Sequence, residues 1–389
     1  MKKVIAALLW ALVLLPCAAY AQGQKPLEEG TPFTLESPCV ILTEASTGQV
    51  IFEKNADERR PVASVNKVMT ILLTLEAIDN GAVSIKDQVT VSPRANSMGG
   101  SQAYLDANAQ YPLGELLKSM IIASANDAAV ALAEHLCGTE EVFVGRMNER
   151  AAELGLENTH YVNCTGLPAQ GHYTTARDVA KLSAQLDRHP LYYEYSTVWM
   201  DEIAHKGGRV TQLTNTNRLV RFYGGCDGYK TGSTNEARYC ISATAKKNGL
   251  RLIAVVLGSN AGQTRFDEAR AMLEYGFSAY QLYSPVKQGD SLGMDVPVRL
   301  GGRERVAAVS GGTCGLLMKK GEQAGITLEA ALAERVSAPV KKGDVLGEIR
   351  VKRGEEVLQV IPAVAGEDVA LPGLVNSLLR IRNRFMLRR

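Results

Sequence analysis

The sequence has few of the residues that bind metals or build disulfide frameworks. Its 389 residues include five histidines and seven cysteines. The histidines are scattered, without HExxH or another metal-ligand spacing, so zinc chemistry is not expected. The cysteines form no CxxC pair and do not make a disulfide-dense framework. The six cysteines that follow residue 21 are interpreted as scattered buried thiols.

A basic excess is also missing from the body of the chain. The formal net charge is +2, and Lys2 and Lys3 account for it. The last 16 residues, LVNSLLRIRNRFMLRR, hold five arginines and no acidic residue, so the rest of the chain carries about five net negative charges. A protein that binds nucleic acid normally shows a basic patch on its globular part. This composition therefore argues against a nucleic-acid partner.

The apolar run at the N-terminus is too short to favour a membrane-spanning helix. It extends from Val4 to Leu15, follows two lysines and precedes the small-residue segment Ala19-Tyr20-Ala21. This order is typical of a secretory signal peptide. The sequence therefore predicts a signal peptide over residues 1–21, export of the protein, and a linker over residues 22–34.

Residues 35–285 are predicted to form one α+β domain. A hairpin is indicated around Ser46-Thr47-Gly48, and a second around Asn248-Gly249, which separates two alternating runs. Between them lie segments with helical apolar spacing, VNKVMTILLTLEAIDNG, LGELLKSMII, AAVALAEHL and TTARDVAKLSAQL, and FDEARAMLEYGFSAY follows the second hairpin. Strands at both ends of a helical middle predict one sheet, assembled from the two ends, with helices packed around it.

The pattern changes near residue 286. Residues 286–372 alternate apolar and polar positions and turn every few residues, which predicts a small all-β domain. Leu371-Pro372-Gly373 then breaks from this pattern. Residues 373–389 are predicted to form a basic amphipathic helix, with its apolar stripe at Leu374, Leu378, Ile381 and Phe385.

Ser64 and Lys67, in PVASVNKVMT, lie three positions apart at the start of a predicted helix. The pair alone does not establish a function, because Ser284 and Lys287 in SPVK have the same spacing. Pro285 and a following Gly-Asp turn indicate that the second copy is a linker. As ordinary helix residues, Ser64 would be a helix cap and Lys67 a solvated lysine.

Two further short motifs follow in order. Ser124-Ala125-Asn126 lies between two predicted helices, and Lys230-Thr231-Gly232 precedes the second hairpin. Each is common by itself, and Ser-x-Asn also occurs elsewhere in this chain. The ordered set of S-x-x-K, S-x-N and K-T-G is typical of penicillin-binding proteins and class A β-lactamases.

Longer segments resemble successive blocks of the D-alanyl-D-alanine carboxypeptidase family, the low-molecular-mass penicillin-binding proteins. They are PVASVNKVMT, IIASANDAA, TGLPAQGHYTTARDVA, CDGYKTGSTNEARYC and RFDEARAMLEYGF. The resemblance covers residues 35–285 and implies a penicillin-binding/β-lactamase-like transpeptidase fold, an antiparallel sheet with helices on both faces and a helical subdomain. A signal peptide, a trailing β domain and a basic amphipathic tail are also features of that family.

The resemblance implies a serine peptidase that uses no metal or cofactor. Ser64 would attack the carbonyl between the two terminal D-alanines of a peptidoglycan stem peptide. D-Alanine would leave, and water would release the shortened peptide from the acyl-enzyme. β-Lactams, which mimic the terminal dipeptide, would acylate Ser64 and remain bound. By resemblance, the N–H groups of Ser64 and Ser233 form the oxyanion hole.

The remaining motif residues also receive roles from the resemblance. Ser124 would pass a proton to the departing amine, and Asn126 would hold the substrate's peptide carbonyl. Lys230 and Thr231 would bind the terminal carboxylate. Gly232 would let the backbone approach the ligand without an intervening side chain.

Two positions depart from the family's usual pattern. Ser233 stands where histidine is frequent, but that position acts mainly through its backbone. Arg238 stands where glycine is common, which bears on substrate preference near the cleft. Arg218, Arg238 and Arg265 are candidates for assisting carboxylate binding, although surface ion pairs are the more common role of such residues.

Lys67 can serve as a base only when it is neutral, and the reference pKa of lysine is about 10.4. One helical turn places it on the same face as Ser64. Partial burial and a nearby second cation both lower a lysine pKa. Lys230, brought in by the K-T-G strand, is the predicted second cation.

Other functions are compatible with the same motifs. β-Lactamase activity requires fast hydrolysis of the same adduct, and the added β domain and basic tail argue against it. D,D-Endopeptidase activity on cross-links is closer and stays open as a side activity. A non-catalytic cell-wall scaffold is disfavoured because the set of motif residues is intact.

Residues 373–389, the predicted basic amphipathic helix, suggest where the protein is located in the cell. An apolar stripe with five arginines is predicted to lie in the headgroup region of an anionic membrane, on the outer face of the cytoplasmic membrane. The alternative is a C-terminal helix that packs on the β domain.

Overall fold

The computed structural model describes residues 33–373. The predicted signal peptide, nearly all of the predicted linker and residues 374–389 of the predicted anchor lie outside this range. The described chain forms two compact units that divide between Ser278 and Ala279. The division falls earlier than the boundary at 285/286 that composition suggests, because Tyr280–Tyr283 pairs with the later strand Leu316–Lys319.

The first unit is built around a five-stranded antiparallel sheet with the order β2-β1-β9-β8-β7. Its strands are β1 (Cys39–Glu44), β2 (Val50–Lys54), β7 (Cys226–Thr234), β8 (Arg238–Lys247) and β9 (Leu250–Ser259). Two short antiparallel pairs lie outside this sheet, β3 (Gln88–Thr90) with β4 (Gln110–Pro112) and β5 (Met200–Ala204) with β6 (Val210–Thr214). The sheet joins strands from both ends of the unit, as predicted, and β7 is at its edge.

Helices fill the middle of the first unit. They are α1 (Lys67–Asp79), α2 (Pro93–Asn96), α3 (Leu113–Ala123), α4 (Asn126–Cys137), α5 (Glu140–Glu153), α6 (Ala176–Gln185), α7 (Pro190–Ser196), α8 (Leu219–Phe222) and α9 (Thr264–Ala279), with 3-10 turns at Ala63–Asn66, Leu186–Arg188 and Lys206–Gly208. Every residue of α1 from Lys67 to Leu75 is buried. A helix that is enclosed on all sides is normally apolar, so a lysine at its first position requires an explanation.

Side chains alternate along β1 and give the sheet two buried faces. Ile41 belongs to the large core that also contains α1, and it lies beside α6. Leu42 points to the other face, where α9 packs. A Cβ built on Gly276 of α9 would come within 3.2 Å of Leu42 Cδ2 and 2.4 Å of Leu252 Cδ1. Helices therefore cover both faces, as the family resemblance implies.

The predicted hairpin turn at Asn248-Gly249 is confirmed, and two helices have identifiable caps. Asn248 and Gly249 both have positive φ, 51° and 83°, as a two-residue hairpin turn requires. The Thr175 hydroxyl accepts a hydrogen bond from Asp178 N at 3.1 Å and caps α6. Helix α1 ends with Asn80 as its C-cap. These local signals mark where the chain reverses or a helix begins and ends.

The second unit is all β, as predicted. A six-stranded sheet has the order β14-β16-β17-β12-β11-β15, and β10 pairs with β13. The strands are β10 (Tyr280–Tyr283), β11 (Ser291–Arg299), β12 (Arg305–Ser310), β13 (Leu316–Lys319), β14 (Ile326–Leu332), β15 (Val336–Ser337), β16 (Val345–Arg353) and β17 (Glu356–Ala365). All neighbours are antiparallel except β11 and β15.

Within residues 33–373 no helix combines the length and the apolar character needed to cross a membrane. All six cysteines of this range are free thiols, and five of them are buried. Their interpretation as scattered thiols is therefore confirmed.

Candidate active site

Ser64 lies in the 3-10 turn Ala63–Asn66, which leads directly into α1. Two glycines allow other parts of the chain to pack tightly against this turn. A Cβ on Gly232 of β7 would come within 2.7 Å of Ser64 N, and a Cβ on Gly166 would come within 2.0 Å of Ala63 O. Neither position has room for a side chain. Ala63 has φ of 50°, which L-residues adopt rarely, so the packing holds a strained turn in place.

Lys67 Nζ has three polar partners although its side chain is fully buried. It lies 2.9 Å from Ser64 Oγ, 2.6 Å from Asn126 Oδ1 and 2.8 Å from Thr165 O. The last two atoms are carbonyl oxygens, which only accept hydrogen bonds, whereas a hydroxyl also donates. A neutral amine has two N–H groups and one lone pair. In this form it can donate to the two carbonyls and accept from Ser64, whereas an ammonium would donate to all three oxygens.

Electrostatics favour the neutral form of this amine. Burial lowers the pKa of Lys67 to about 7, although Cys164 and Asp127 oppose part of the shift. Burial also lowers the pKa of Lys230, and the charges of Lys67 and Arg265 lower it further. The sequence predicts Lys230 as the cation that depresses Lys67. Burial is the largest cause at each lysine, and the charge of Lys67 acts on Lys230, but the predicted depression of the Lys67 pKa by Lys230 is not observed.

The Ser-Ala-Asn motif spans the junction between α3 and α4. Ser124 is the C-cap of α3, with φ of 64°, and its Oγ is buried without a hydrogen-bond partner among the described residues. Asn126 is the first residue of α4, and its Nδ2 donates to Gly99 O at 2.6 Å. Its Oδ1 is the acceptor for Lys67. An unpartnered buried hydroxyl is costly, so the motif presents one hydroxyl that a ligand can satisfy.

The Lys-Thr-Gly motif lies on the edge strand β7. Lys230 is 1% exposed, and its Nζ donates to Thr231 O at 3.0 Å. No carboxylate within residues 33–373 forms an ion pair with it. A buried ammonium without an anion is unfavourable. This part of the site therefore favours a negatively charged ligand group.

The remaining predicted residues fall into two groups. Ser233 is exposed on β7, directly after Gly232. Arg265 donates through Nη1 to Gly232 O at 2.8 Å, so it lies against the Lys-Thr-Gly strand. Arg218 and Arg238 are exposed. The structure therefore brings one of the three candidate arginines to the motif residues.

Thr165 was not predicted as a site residue, yet its backbone carbonyl is the third partner of the Lys67 amine. A carbonyl has no side-chain signature, so its role is invisible in a single sequence. The adjoining Gly166, which has φ of 83° and contacts Ala63, is the one local signal of a close approach. Within the part of the chain that the structure describes, no cluster of three or more His, Cys, Asp or Glu residues could hold a metal ion.

The family model for D-alanyl-D-alanine carboxypeptidase, peptidase S11, matches residues 25–261, and that for the C-terminal domain of penicillin-binding protein 5 matches residues 280–371. The chain is 37% identical over 381 residues to the D-alanyl-D-alanine carboxypeptidase DacF of Bacillus subtilis strain 168, covering 98% of each chain. It is 33% identical over 353 residues to DacC of Escherichia coli strain K12, covering 86% of each.

A solved structure of penicillin-binding protein 5 from Haemophilus influenzae has the same fold. It superimposes with a TM-score of 0.74 at 28% sequence identity, over 87% of this chain and 99% of that one. The match in sequence extends through both units, and the motif residues occupy one site in the first. The chain belongs to the D-alanyl-D-alanine carboxypeptidase family of serine peptidases.

Proposed function

We propose that the protein is a serine-type D-alanyl-D-alanine carboxypeptidase that removes the terminal D-alanine from peptidoglycan stem pentapeptides. The observation that carries this proposal is the position of Lys67 Nζ, 2.9 Å from Ser64 Oγ and bonded to two carbonyl oxygens. Burial favours the neutral form of this amine, and a neutral amine beside a hydroxyl is the arrangement that activates a serine nucleophile. Shortening the stem peptide leaves fewer donors for cross-linking.

The acylation step follows from this arrangement. Lys67 takes the proton of Ser64 Oγ as the oxygen bonds to the carbonyl carbon between the two D-alanines. When the tetrahedral intermediate collapses, the C–N bond breaks and the leaving nitrogen gains a proton. The hydroxyl of Ser124, which has no hydrogen-bond partner among the described residues, is proposed to relay that proton from Lys67. Water then hydrolyses the ester on Ser64 and restores the free serine.

The negative charge on the carbonyl oxygen needs donors. The N–H groups of Ser64 and Ser233 are the proposed oxyanion hole, and Gly232 permits β7 to approach Ser64 closely enough to form it. The loss of one donor from such a hole typically costs about 10²–10³ in rate. Asn126, which is already bonded to Lys67, is proposed to hold the peptide carbonyl on the acyl side as well.

The terminal carboxylate of the substrate supplies the negative charge that the Lys-Thr-Gly region lacks. Lys230 and Thr231 are its proposed partners, and Arg265 adds positive charge from its position against the strand. Binding of a carboxylate here would raise the pKa of Lys230 again, because an anion stabilises the ammonium form. The same carboxylate position explains acylation by β-lactams, which carry an equivalent acid group.

The proposal is tested with protein that lacks the signal peptide and residues 374–389. Excess benzylpenicillin is added and the intact mass is followed for one hour, in parallel with an assay for D-alanine released from a stem pentapeptide. A lasting single adduct together with D-alanine release supports the proposal. Unmodified protein with hydrolysed penicillin would indicate a β-lactamase. Unmodified protein with intact penicillin would indicate a scaffold.

We further propose that the protein is exported and bound peripherally to the outer face of the cytoplasmic membrane through residues 374–389. Five arginines at about 1 kcal/mol each suffice for reversible, salt-sensitive binding. Deletion of residues 374–389 should release the protein from anionic vesicles and preserve peptidase activity. Unchanged vesicle binding after the deletion would refute the anchor.

A further inference from the structure

The acceptor that Thr165 provides for Lys67 lies outside regular secondary structure. Thr165 O is 2.8 Å from Lys67 Nζ, and residues 163–166 belong to no helix or strand. The hydrogen bonds of a helix or sheet therefore do not fix this backbone, and its position depends on the groups that bond to it. Those groups determine where the acceptor for the Lys67 amine lies.

Several groups that hold residues 163–166 come from the Ser64 turn, from α1 and from the segment itself. Asn66 Nδ2 donates to Asn163 O at 3.2 Å, and Thr70 Oγ1 donates to Cys164 O at 2.7 Å. Asn163 Oδ1 accepts from Gly166 N at 2.7 Å. None of these bonds reaches the N–H of Cys164, a fully buried residue directly before Thr165.

Glu140, the first residue of α5, supplies the acceptor for that N–H. Its Oε1 lies 3.2 Å from Cys164 N and 3.3 Å from Cys164 Sγ, and both groups donate to it. Its Oε2 accepts from Arg94 Nη2 at 3.1 Å. The Glu140 side chain is 9% exposed, whereas that of Arg94 is 62% exposed. A carboxylate rarely lies this deep unless its oxygens are bonded, and here each oxygen has a donor.

The ion pair with Arg94 and the start of the helix do not account for the burial of Glu140. A partly exposed ion pair contributes little to stability, and such a pair forms equally well at the surface. The next residue, Glu141, is exposed and already places a negative charge in the first turn of α5, where it favours the helix dipole. The contact that requires the buried position is therefore the one with Cys164.

We propose that Glu140 is a positioning residue for acylation, which holds residues 163–166 so that Thr165 O receives an N–H of Lys67. With that N–H fixed, the lone pair of the amine stays directed at Ser64. Glu140 itself touches neither the substrate nor the reacting atoms. The inference rests on the proposed function, in which Lys67 is the base. It requires an acceptor oxygen at the place of Oε1 and does not require a negative charge there.

Two variants separate the acceptor from the charge. Glu140→Gln keeps an oxygen at the same reach, whereas Glu140→Asp keeps the charge but withdraws the oxygens by one methylene group. Stopped-flow acylation by a fluorescent penicillin measures the limiting rate and the half-saturating concentration separately. Glu140→Asp should lower the limiting rate about tenfold, which corresponds to about one hydrogen bond, and leave the half-saturating concentration unchanged. Glu140→Gln should match the wild type in both. A tenfold loss in Glu140→Gln overturns the proposal by itself.

Two further variants are matched controls for the helix start and the ion pair. Glu141→Ala removes an acidic residue from the same helical turn at an exposed position. Arg94→Ala removes the ion pair but leaves the contact between Glu140 and Cys164. Both should keep the wild-type limiting rate. Slowing of Arg94→Ala to the level of Glu140→Asp would show that Glu140 acts through the ion pair, and would overturn the proposal. Partial unfolding of a variant lowers the fraction of protein that is acylated and not the limiting rate.

Failure of the proposed function is distinguishable from failure of this inference. If penicillin did not acylate the wild type, the carboxypeptidase proposal would fail. Crystal structures of the variants would then judge Glu140 without reference to activity. The distance from Lys67 Nζ to Thr165 O should stay near 2.8 Å in Glu140→Gln. In Glu140→Asp it should exceed about 3.5 Å, beyond hydrogen-bonding distance. An unchanged distance in Glu140→Asp overturns the positioning role.

Discussion

Two segments of the chain share the Ser-x-x-Lys spacing but have different structures. Ser64 and Lys67 lie on a 3-10 turn that continues into α1, and their side chains are 2.9 Å apart. Ser284 and Lys287 lie in a bend at the beginning of the second unit, where Lys287 is exposed. The backbone of Lys287 bonds to Asp290 Oδ2 at 2.7 Å, as part of a tight turn.

The comparison shows what a Ser-x-x-Lys pair needs, in addition to its spacing, before the serine becomes reactive. Helical geometry brings residues three positions apart to one face, and Pro285 interrupts such geometry in the second copy. Burial then removes the lysine from water and favours its neutral form. Lys67 has both features, whereas Lys287 has neither. The same four-residue pattern therefore brings a buried lysine amine to a serine hydroxyl in one place and forms a solvated linker in the other.

The largest expected effect comes from removing the two serines in turn. Ser64→Ala should lose the benzylpenicillin adduct and lower D-alanine release by about 10⁴-fold or more, because no other group accepts the acyl chain. Ser284→Ala should match the wild type in both assays. Intact-mass spectrometry and the D-alanine assay measure the two outcomes. A surviving adduct in Ser64→Ala, or its loss in Ser284→Ala, would reverse the comparison.

The next effect concerns the lysines and depends on pH. Lys67 acts as a base when it is deprotonated, so the wild-type acylation rate should rise with pH through about 7 and level off above it. Lys67→Met preserves much of the packing but has no base, so the rate should fall by about 10²–10⁴-fold and the rise near pH 7 should vanish.

Lys287→Met is the matched control for this pH profile. Its acylation rate should follow the wild-type curve, because Lys287 is in solvent in the second unit. Stopped-flow measurements with a fluorescent penicillin from pH 5.5 to 9 provide the curves. A rise near pH 7 that persists in Lys67→Met would show that another group is the base.

The fold was largely accessible from local sequence signals. Asn248-Gly249 indicated the hairpin of β8 and β9, and the apolar pattern of α1 ended where Asn80 caps it. The 3-10 turn before α1 could not be predicted. Its existence depends on Gly166 and Gly232 from distant parts of the chain, which hold Ala63 in an unfavourable backbone conformation. Tertiary contacts of this kind have no signature in a single sequence.

The candidate site was also only partly predictable from the sequence. Ser64, Lys67 and Asn126 were identified by motif, and the structure places their polar atoms within hydrogen-bonding distance. The carbonyl of Thr165 was not identified, although it is one of the three hydrogen-bond partners that hold the Lys67 amine in place. Motifs report side chains that chemistry requires, whereas backbone atoms that tune those side chains depend on the folded loop.

The smallest of the three effects comes from two glycines that accompany the two Ser-x-x-Lys segments. A Cβ on Gly232 would lie 2.7 Å from Ser64 N, so Gly232→Ala should displace the turn and lower the acylation rate by about 10²-fold through the oxyanion hole. Gly289, near Lys287, has open space but φ of 86°. Gly289→Ala should therefore destabilise its turn by about 1 kcal/mol and leave acylation unchanged. Melting curves and acylation rates of both variants test the contrast. Unaltered acylation in Gly232→Ala would mean that β7 does not position Ser64.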